Sequence, residues 1–416
     1  MNRLSDRTER PVIPAEIASA LTDPEAHADH RIHDAFTWLR NNEPVGIAEP
    51  ADFEPMWIIS KHGDLSRVAS HSAVRNSQRN AFLFSTSTLD RMAEVTGERA
   101  PVFRNLLQMD PPEHRPYRMV TANFFQRSLL AEVEPTIREL AGKAIDRMIG
   151  FGGECDFATQ IGFSYPLRIV VGLLGLGEEE DARILHLTQE LFTLDDTARF
   201  AAAQENFNAF FDEVIADRRA NPRNDLASLI SNARINGEPM PLPEARGYLS
   251  SLATAGHETT ASVISGAVEA LCLDPAEFAR IKADRSLIPG LVDEAIRWVS
   301  PNKITVRTAV EDIEIHDRII GKGEAIGLAW ASGNRDEDVF GDPFTFRSDR
   351  KPNRLLSFGA GPHACVGQQL ARLQMTILFE ELFRRIERIE LAGEVKNMAS
   401  LLTSGPKSVP VRYVAA

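Results

Sequence analysis

Cys365 lies in the run Leu356-Ser-Phe-Gly-Ala-Gly-Pro-His-Ala-Cys365-Val-Gly-Gln, just before an amphipathic stretch carrying Leu370, Leu373, Ile377 and Leu378. Gly359 and Gly361 let the backbone come close to something flat or bulky. A thiol at a helix start is expected to have a lowered pKa, because free N–H groups and the helix dipole favour the thiolate. A lone thiolate presented by a loop is a nucleophile or a metal ligand. A buried structural cysteine is the commoner fate of a thiol, but it needs neither the glycines nor Pro362 and His363. Gly359-x-Gly361-x-x-Ala364 also mimics a dinucleotide fingerprint, which requires a βαβ unit and an acidic residue about twenty positions on. Glu380 is near that distance, yet it sits in an unbroken helical pattern with no second strand.

A second group of residues is Ala253-Thr-Ala-Gly256-His-Glu258-Thr259-Thr260. A glycine, an acid and two hydroxyls mid-helix are a poor choice for a purely structural helix. Thr259 can reach the carbonyl of Ala255 and, with Gly256 beside it, open the hydrogen-bond ladder into a groove. His257-Glu258 starts like a zinc-protease motif, but the fifth position is Ala261, so that motif fails. A third group, Glu294-Ala-Ile-Arg297, puts a carboxylate and a guanidinium on one helix face. Exposed, such a pair contributes little; buried, with a second arginine, it fixes geometry.

The pattern Phe358-x-x-Gly361-x-His363-x-Cys365-x-Gly367 resembles the haem-ligand loop of the cytochrome P450 family. That resemblance implies haem b ligated axially by the Cys365 thiolate, with Phe358 and Gly359 beside it. It implies Glu258 and Thr259 as the acid–alcohol pair that relays protons to bound dioxygen. Met109-Asp-Pro-Pro-Glu-His114-Arg-Pro-Tyr-Arg118 is similar to the family's His-x-x-x-Arg segment, so His114, Arg118, Arg307 and His363 are implied partners of the haem propionates. Glu294, Arg297 and Arg350 are implied as a structural network behind the haem. Arg347 stands where the family's usual segment has Asp, which weakens the match at Arg350.

These residues must be positioned by a large, mostly helical scaffold. The 416 residues, 43% hydrophobic and 25% charged, suit a globular protein with a substantial core. No stretch reaches the roughly eighteen apolar residues of a membrane span, and the start Met1-Asn-Arg-Leu-Ser-Asp-Arg is polar. A cytoplasmic enzyme without the anchor of eukaryotic family members is therefore expected. A net charge of −13 argues against nucleic acid as a partner. Cys155, Cys272 and Cys365 are far apart, which argues against disulfides and zinc. Arg115, Arg118, Arg354 and Arg372 are candidates for a local basic patch that docks an acidic partner.

The spacing of Leu130, Val133, Ile137, Leu140, Ala144, Ile145 and Met148 predicts a helix over 129–149, and a pattern of about thirty residues predicts one long helix over 243–273. Short β-rich pieces fall at 56–59, 304–308, 324–328 and 409–413. The mix predicts a mainly α fold with small β-sheets, and the resemblance implies the family's triangular prism as one domain over 1–416. The haem would lie between the long central helix and the Cys365 loop. The resemblance covers nearly the whole chain and is greatest to a soluble bacterial branch that hydroxylates α-terpineol. It implies insertion of one oxygen atom into a C–H bond of a small hydrophobic substrate, with electrons from NAD(P)H through a reductase and a ferredoxin. Ala255, Ile304, Val306 and Leu402 are the expected pocket residues, with variable loops over 80–89 and 188–200. The alternatives are a peroxide-using enzyme, a steroid or fatty-acid hydroxylase of the same fold, and a haem carrier or sensor without catalysis.

Overall fold

The computed structural model describes residues 10–97, 104–177, 180, 182–184, 186–187 and 197–416. The helices around the Cys365 loop are α1 (His114–Ala122), α2 (Arg127–Gly150), α3 (Ser164–Leu173), α4 (Leu242–Ala255), α5 (Glu258–Leu273), α6 (Ile288–Val299) and α7 (Gln368–Arg385). Leu130, Ile137, Ala141, Ile145 and Met148 form the buried stripe of α2, which packs along α7. Helix α5 is apolar nearly all round and buried along its length, so it can only sit at the centre. It packs on α6, and α6 in turn packs on α7.

A five-stranded sheet lies to one side: β1 (Val45–Ala48), β2 (Met56–Ile59), β3 (Val74–Arg75), β4 (Thr305–Ala309) and β5 (Ala325–Leu328), in the order β1-β2-β5-β4-β3. Only the β5–β2 pair is parallel. A three-stranded sheet joins Glu154–Asp156 to the antiparallel pair of Ile386–Leu391 and Pro410–Ala415. The mainly α fold with small sheets agrees with the sequence reading. Among the described residues, no helix is long and apolar enough to cross a membrane.

The expected single helix over 243–273 is two. Helix α4 ends at Ala255 and α5 begins at Glu258, with a turn at Gly256 and His257 between them. A Cβ at Gly256 would meet Val170 of α3 at 2.7 Å and the Leu252 carbonyl at 2.9 Å, so only glycine fits here. The Thr259 hydroxyl donates to the Ala255 carbonyl at 3.0 Å. The side-chain bond thus takes up a carbonyl that the interrupted ladder releases.

Candidate active site

The Cys365 loop folds back on itself. The Cys365 amide donates to the Phe358 carbonyl at 2.8 Å, and the Ala364 amide to the Gly361 carbonyl at 3.1 Å. Gly359 and Gly361 both have φ of +70°, and a Cβ at Gly361 would run into the Ala69 carbonyl at 2.5 Å. Sterics therefore require both glycines. Arg372, one turn into α7, lies 4.6 Å over the Phe358 ring and donates to Asp293 at 2.8 Å.

Behind this loop, Arg297 is fully buried and donates twice to Glu294, at 2.7 and 2.8 Å. Arg350 donates to the same carboxylate at 3.0 Å, and Asn353 at 3.2 Å. The remaining protons of Arg297 reach the carbonyls of Asn334 and Pro343. Asn334 then accepts from the Leu356 amide at 2.6 Å and donates to Ser300 and Ser357. The network is thereby tied to the first residue of the loop. Sequence reading missed Asn334, which belongs to no motif.

Cys365, Thr259, Ala255, His114, Arg118, Arg307, His363, Phe358 and Gly359 all line one cavity of about 300 Å³. Cys365 is exposed, but toward this cavity deep inside the fold. Burial pushes its thiol pKa up, against the opposing effects of the Gly367 amide and the Arg118 and Arg372 charges. The lowered pKa expected from a helix start does not appear in the polypeptide alone, because Cys365 precedes α7 by three residues and desolvation dominates.

One part of the cavity wall carries cations with no acidic partner among the described residues. Arg307 is buried and, among the described residues, bonds only the Val306 carbonyl on its own strand. Burial brings its pKa down to about 10. Arg118 donates to the Ala364 carbonyl at 2.7 Å. The His114 and His363 rings lie 4.3 Å apart, the buried Nε2 of His114 has no partner among the described residues, and burial drives His363 down to about 3. Asp110 acts on Arg307 and His363 only through space, its oxygens accepting from the Asn76 and Ser77 amides. Buried cations and an orphaned imidazole nitrogen suit a ligand that brings its own carboxylates. A haem with two propionates and an iron facing Cys365 fits that donor set.

Glu258 is not on the cavity wall. Its carboxylate turns toward Thr403, whose hydroxyl donates to it at 3.4 Å, and burial raises its pKa. Nor do Ile304, Val306 and Leu402 line the cavity, contrary to expectation. Side chains alternate along β4, so Thr305 and Arg307 take the cavity face, while Val306 packs with Ile304 under the N-terminal helices. Leu402 offers its carbonyl to Asn302 instead. Asn302, Thr305, Ser251, Leu252 and Val170 line the cavity in their place. Strand alternation counted back from Arg307 would have found Thr305. Of the loop over 80–89, Phe82 reaches the cavity; residues 188–196 of the second loop lie outside the described residues. Arg118 and Arg372 flank the Cys365 loop, whereas Arg115 and Arg354 are exposed.

The sequence profile of the cytochrome P450 family matches residues 179–404. The chain is 37% identical to cytochrome P450-terp of a Pseudomonas species, over 98% of this chain and 99% of that one. It is 32% identical to linalool 8-monooxygenase of Pseudomonas putida (95% and 98% covered) and to steroid C26-monooxygenase of Mycolicibacterium smegmatis (93% and 94%). Its structure superposes on the crystal structure of CYP108D1 from Novosphingobium aromaticivorans with a TM-score of 0.94, at 37% identity, covering 98% of this chain and all of the other.

Proposed function

The chain belongs to the cytochrome P450 family of haem-thiolate monooxygenases, and from that premise we propose that it hydroxylates a small terpenoid in the cytoplasm. Electrons would come from an NAD(P)H-dependent reductase through a ferredoxin. The observation that carries the reading is a cavity walled by Cys365, by Thr259 and by the apolar side chains of Leu252, Val170 and Phe82. Such a pocket suits a compact hydrocarbon skeleton, and two relatives with terpene-related names share more than 30% identity over almost the full length.

In this reading Cys365 would hold the haem iron through its thiolate, and its rigid loop keeps the sulfur at one position. The bound haem supplies dioxygen activation, with electron density donated by the thiolate. Arg118, Arg307, His114 and His363 clamp the propionates. Thr259 offers its hydroxyl oxygen to the cavity while its proton is directed at Ala255. Glu258, whose pKa burial raises above the ordinary carboxylate value, would return the proton to Thr259 from behind the wall. The apolar side chains exclude water and keep the substrate beside the reaction centre.

Titration of the purified haem protein with α-terpineol, linalool, a sterol and a branched fatty acid tests the substrate class. A low-to-high spin shift is expected with the terpenoids at micromolar concentration. A shift confined to the sterol or the fatty acid overturns the terpenoid reading. Cys365→Ser is expected to lose the red-shifted Soret band of the reduced carbon monoxide adduct. Thr259→Ala is expected to keep that band but divert NAD(P)H consumption to hydrogen peroxide, and unchanged coupling would remove Thr259 from the relay.

A further inference from the structure

The polar groups on the cavity wall share a property that their residue names do not reveal. The Ser251 hydroxyl donates to the Tyr248 carbonyl at 3.0 Å, and that of Thr259 to Ala255 at 3.0 Å. Asn302 donates through Nδ2 to the Leu402 carbonyl at 2.8 Å. A carbonyl can only accept, so this bond fixes the amide orientation and turns Oδ1 the other way. No donor of the described residues reaches Oδ1, and Asn302 lines the cavity. Ser251 and Thr259 spend their one side-chain donor on the protein and Asn302 one of its two amide protons, so each keeps lone pairs on a residue of the cavity wall. Thr305, whose Oγ1 accepts from Trp330 Nε1 at 2.8 Å, retains a free proton, and it shares the strand face of Arg307.

Unpaired acceptor lone pairs at Ser251, Thr259 and Asn302, in a mainly apolar pocket, are complementary to a ligand that donates. We infer that Asn302 is a specificity residue whose Oδ1 accepts the hydroxyl proton of an apolar alcohol, so that the enzyme takes alcohols in preference to the matching hydrocarbons. The inference rests on the monooxygenase reading above and narrows its substrate class. Carboxylates are disfavoured at this end, because an anion would face lone pairs there. The cations of the cavity, Arg118 and Arg307, lie instead with His114 and His363 in the set assigned to the haem propionates. An alcohol leaves Oδ1 paired, whereas a hydrocarbon buries it unpaired, and that difference is the source of selectivity.

The test is spin-shift titration with matched pairs: α-terpineol against p-menthene, linalool against myrcene, and 4-isopropylbenzyl alcohol against p-cymene. The wild-type enzyme is expected to bind the alcohol of a pair about five- to tenfold more tightly, the worth of one hydrogen bond. Asn302→Val should abolish that preference by weakening the alcohol alone. Asn302→Asp keeps an acceptor but cannot donate to Leu402, and it should retain the preference. If both variants weaken alcohol and hydrocarbon equally, Asn302 only braces the Leu402 segment and the inference falls. It falls equally if the wild type shows no preference, or no affinity for any alcohol. Should only the aromatic pair bind, with the preference intact, the terpenoid reading fails while the Asn302 assignment stands.

Discussion

Two groups of buried charge lie on either side of the Cys365 loop, and they are built on opposite principles. Around Glu294 every charge is answered: two arginines and an asparagine share one carboxylate, and the remaining guanidinium protons meet main-chain carbonyls. Around Arg307 almost nothing is answered, and the cations face a cavity. Ionisable groups are costly to bury in either setting. Where the protein supplies the counter-charge, the group is scaffold. Where it leaves the counter-charge out, the group is a binding site for something that brings it.

The contrast breaks most visibly if Glu294 is neutralised. Glu294→Gln leaves Arg297 buried without its partner, a change on the order of 3–5 kcal/mol, and little folded, haem-containing protein should remain on purification. Arg307→Leu should act in the opposite sense on the two forms. The apoprotein loses an uncompensated cation and should unfold at the same or a higher temperature, while haem retention falls about 10–100-fold. Haem transfer to apomyoglobin measures the latter, and equal destabilisation of both forms would erase the difference between the two charge groups.

Lys303 sharpens the comparison, because it is a buried cation with no ion-pair partner among the described residues and no place on the cavity wall. Burial lowers its pKa from 10.5 to about 7, with the Arg335 charge adding to the effect. Between those values the unfolded chain binds the proton and the folded one does not. Stability should therefore rise as pH goes from 7 toward 10, by up to about 1.4 kcal/mol per pH unit. Lys303→Met should flatten that rise in denaturant titrations. His27, lowered to about 4 chiefly by burial, gives a second slope: its contribution is present above pH 6.5 and lost as pH falls toward 4. The smallest effect belongs to the exposed Glu139–Lys143 pair on α2, where Glu139→Gln should leave the melting temperature unchanged within error.

Much of this was legible in the chain. The Cys365 loop, the Glu294–Arg297 spacing and the helical stripe of α2 are local patterns, set by steric need for glycine or by a 3.6-residue period, so sequence carries them directly. The break at Gly256 was half legible: the Thr259-to-Ala255 bond could be foreseen, but Val170, whose approach forbids a side chain there, lies 86 positions away in sequence. Ile304 and Val306 were expected in the pocket by position along the chain, which does not say which face of the strand each side chain takes. Strand alternation assigns the pocket face to Thr305 and Arg307 instead. Asn334 and Thr403 were invisible, since each matters only through a partner brought near by the fold.

The acceptors that hold Arg297 and Arg350 have a consequence for how this segment can change. Beyond Glu294, their protons go to the carbonyls of Asn334, Gly341, Asp342, Pro343 and Thr345. A carbonyl is supplied by any residue type. The stretch from 341 to 345 can therefore drift in sequence while its path stays fixed, provided no substitution alters the backbone course. Randomising those positions should yield many functional variants, although they touch one of the most constrained carboxylates in the molecule.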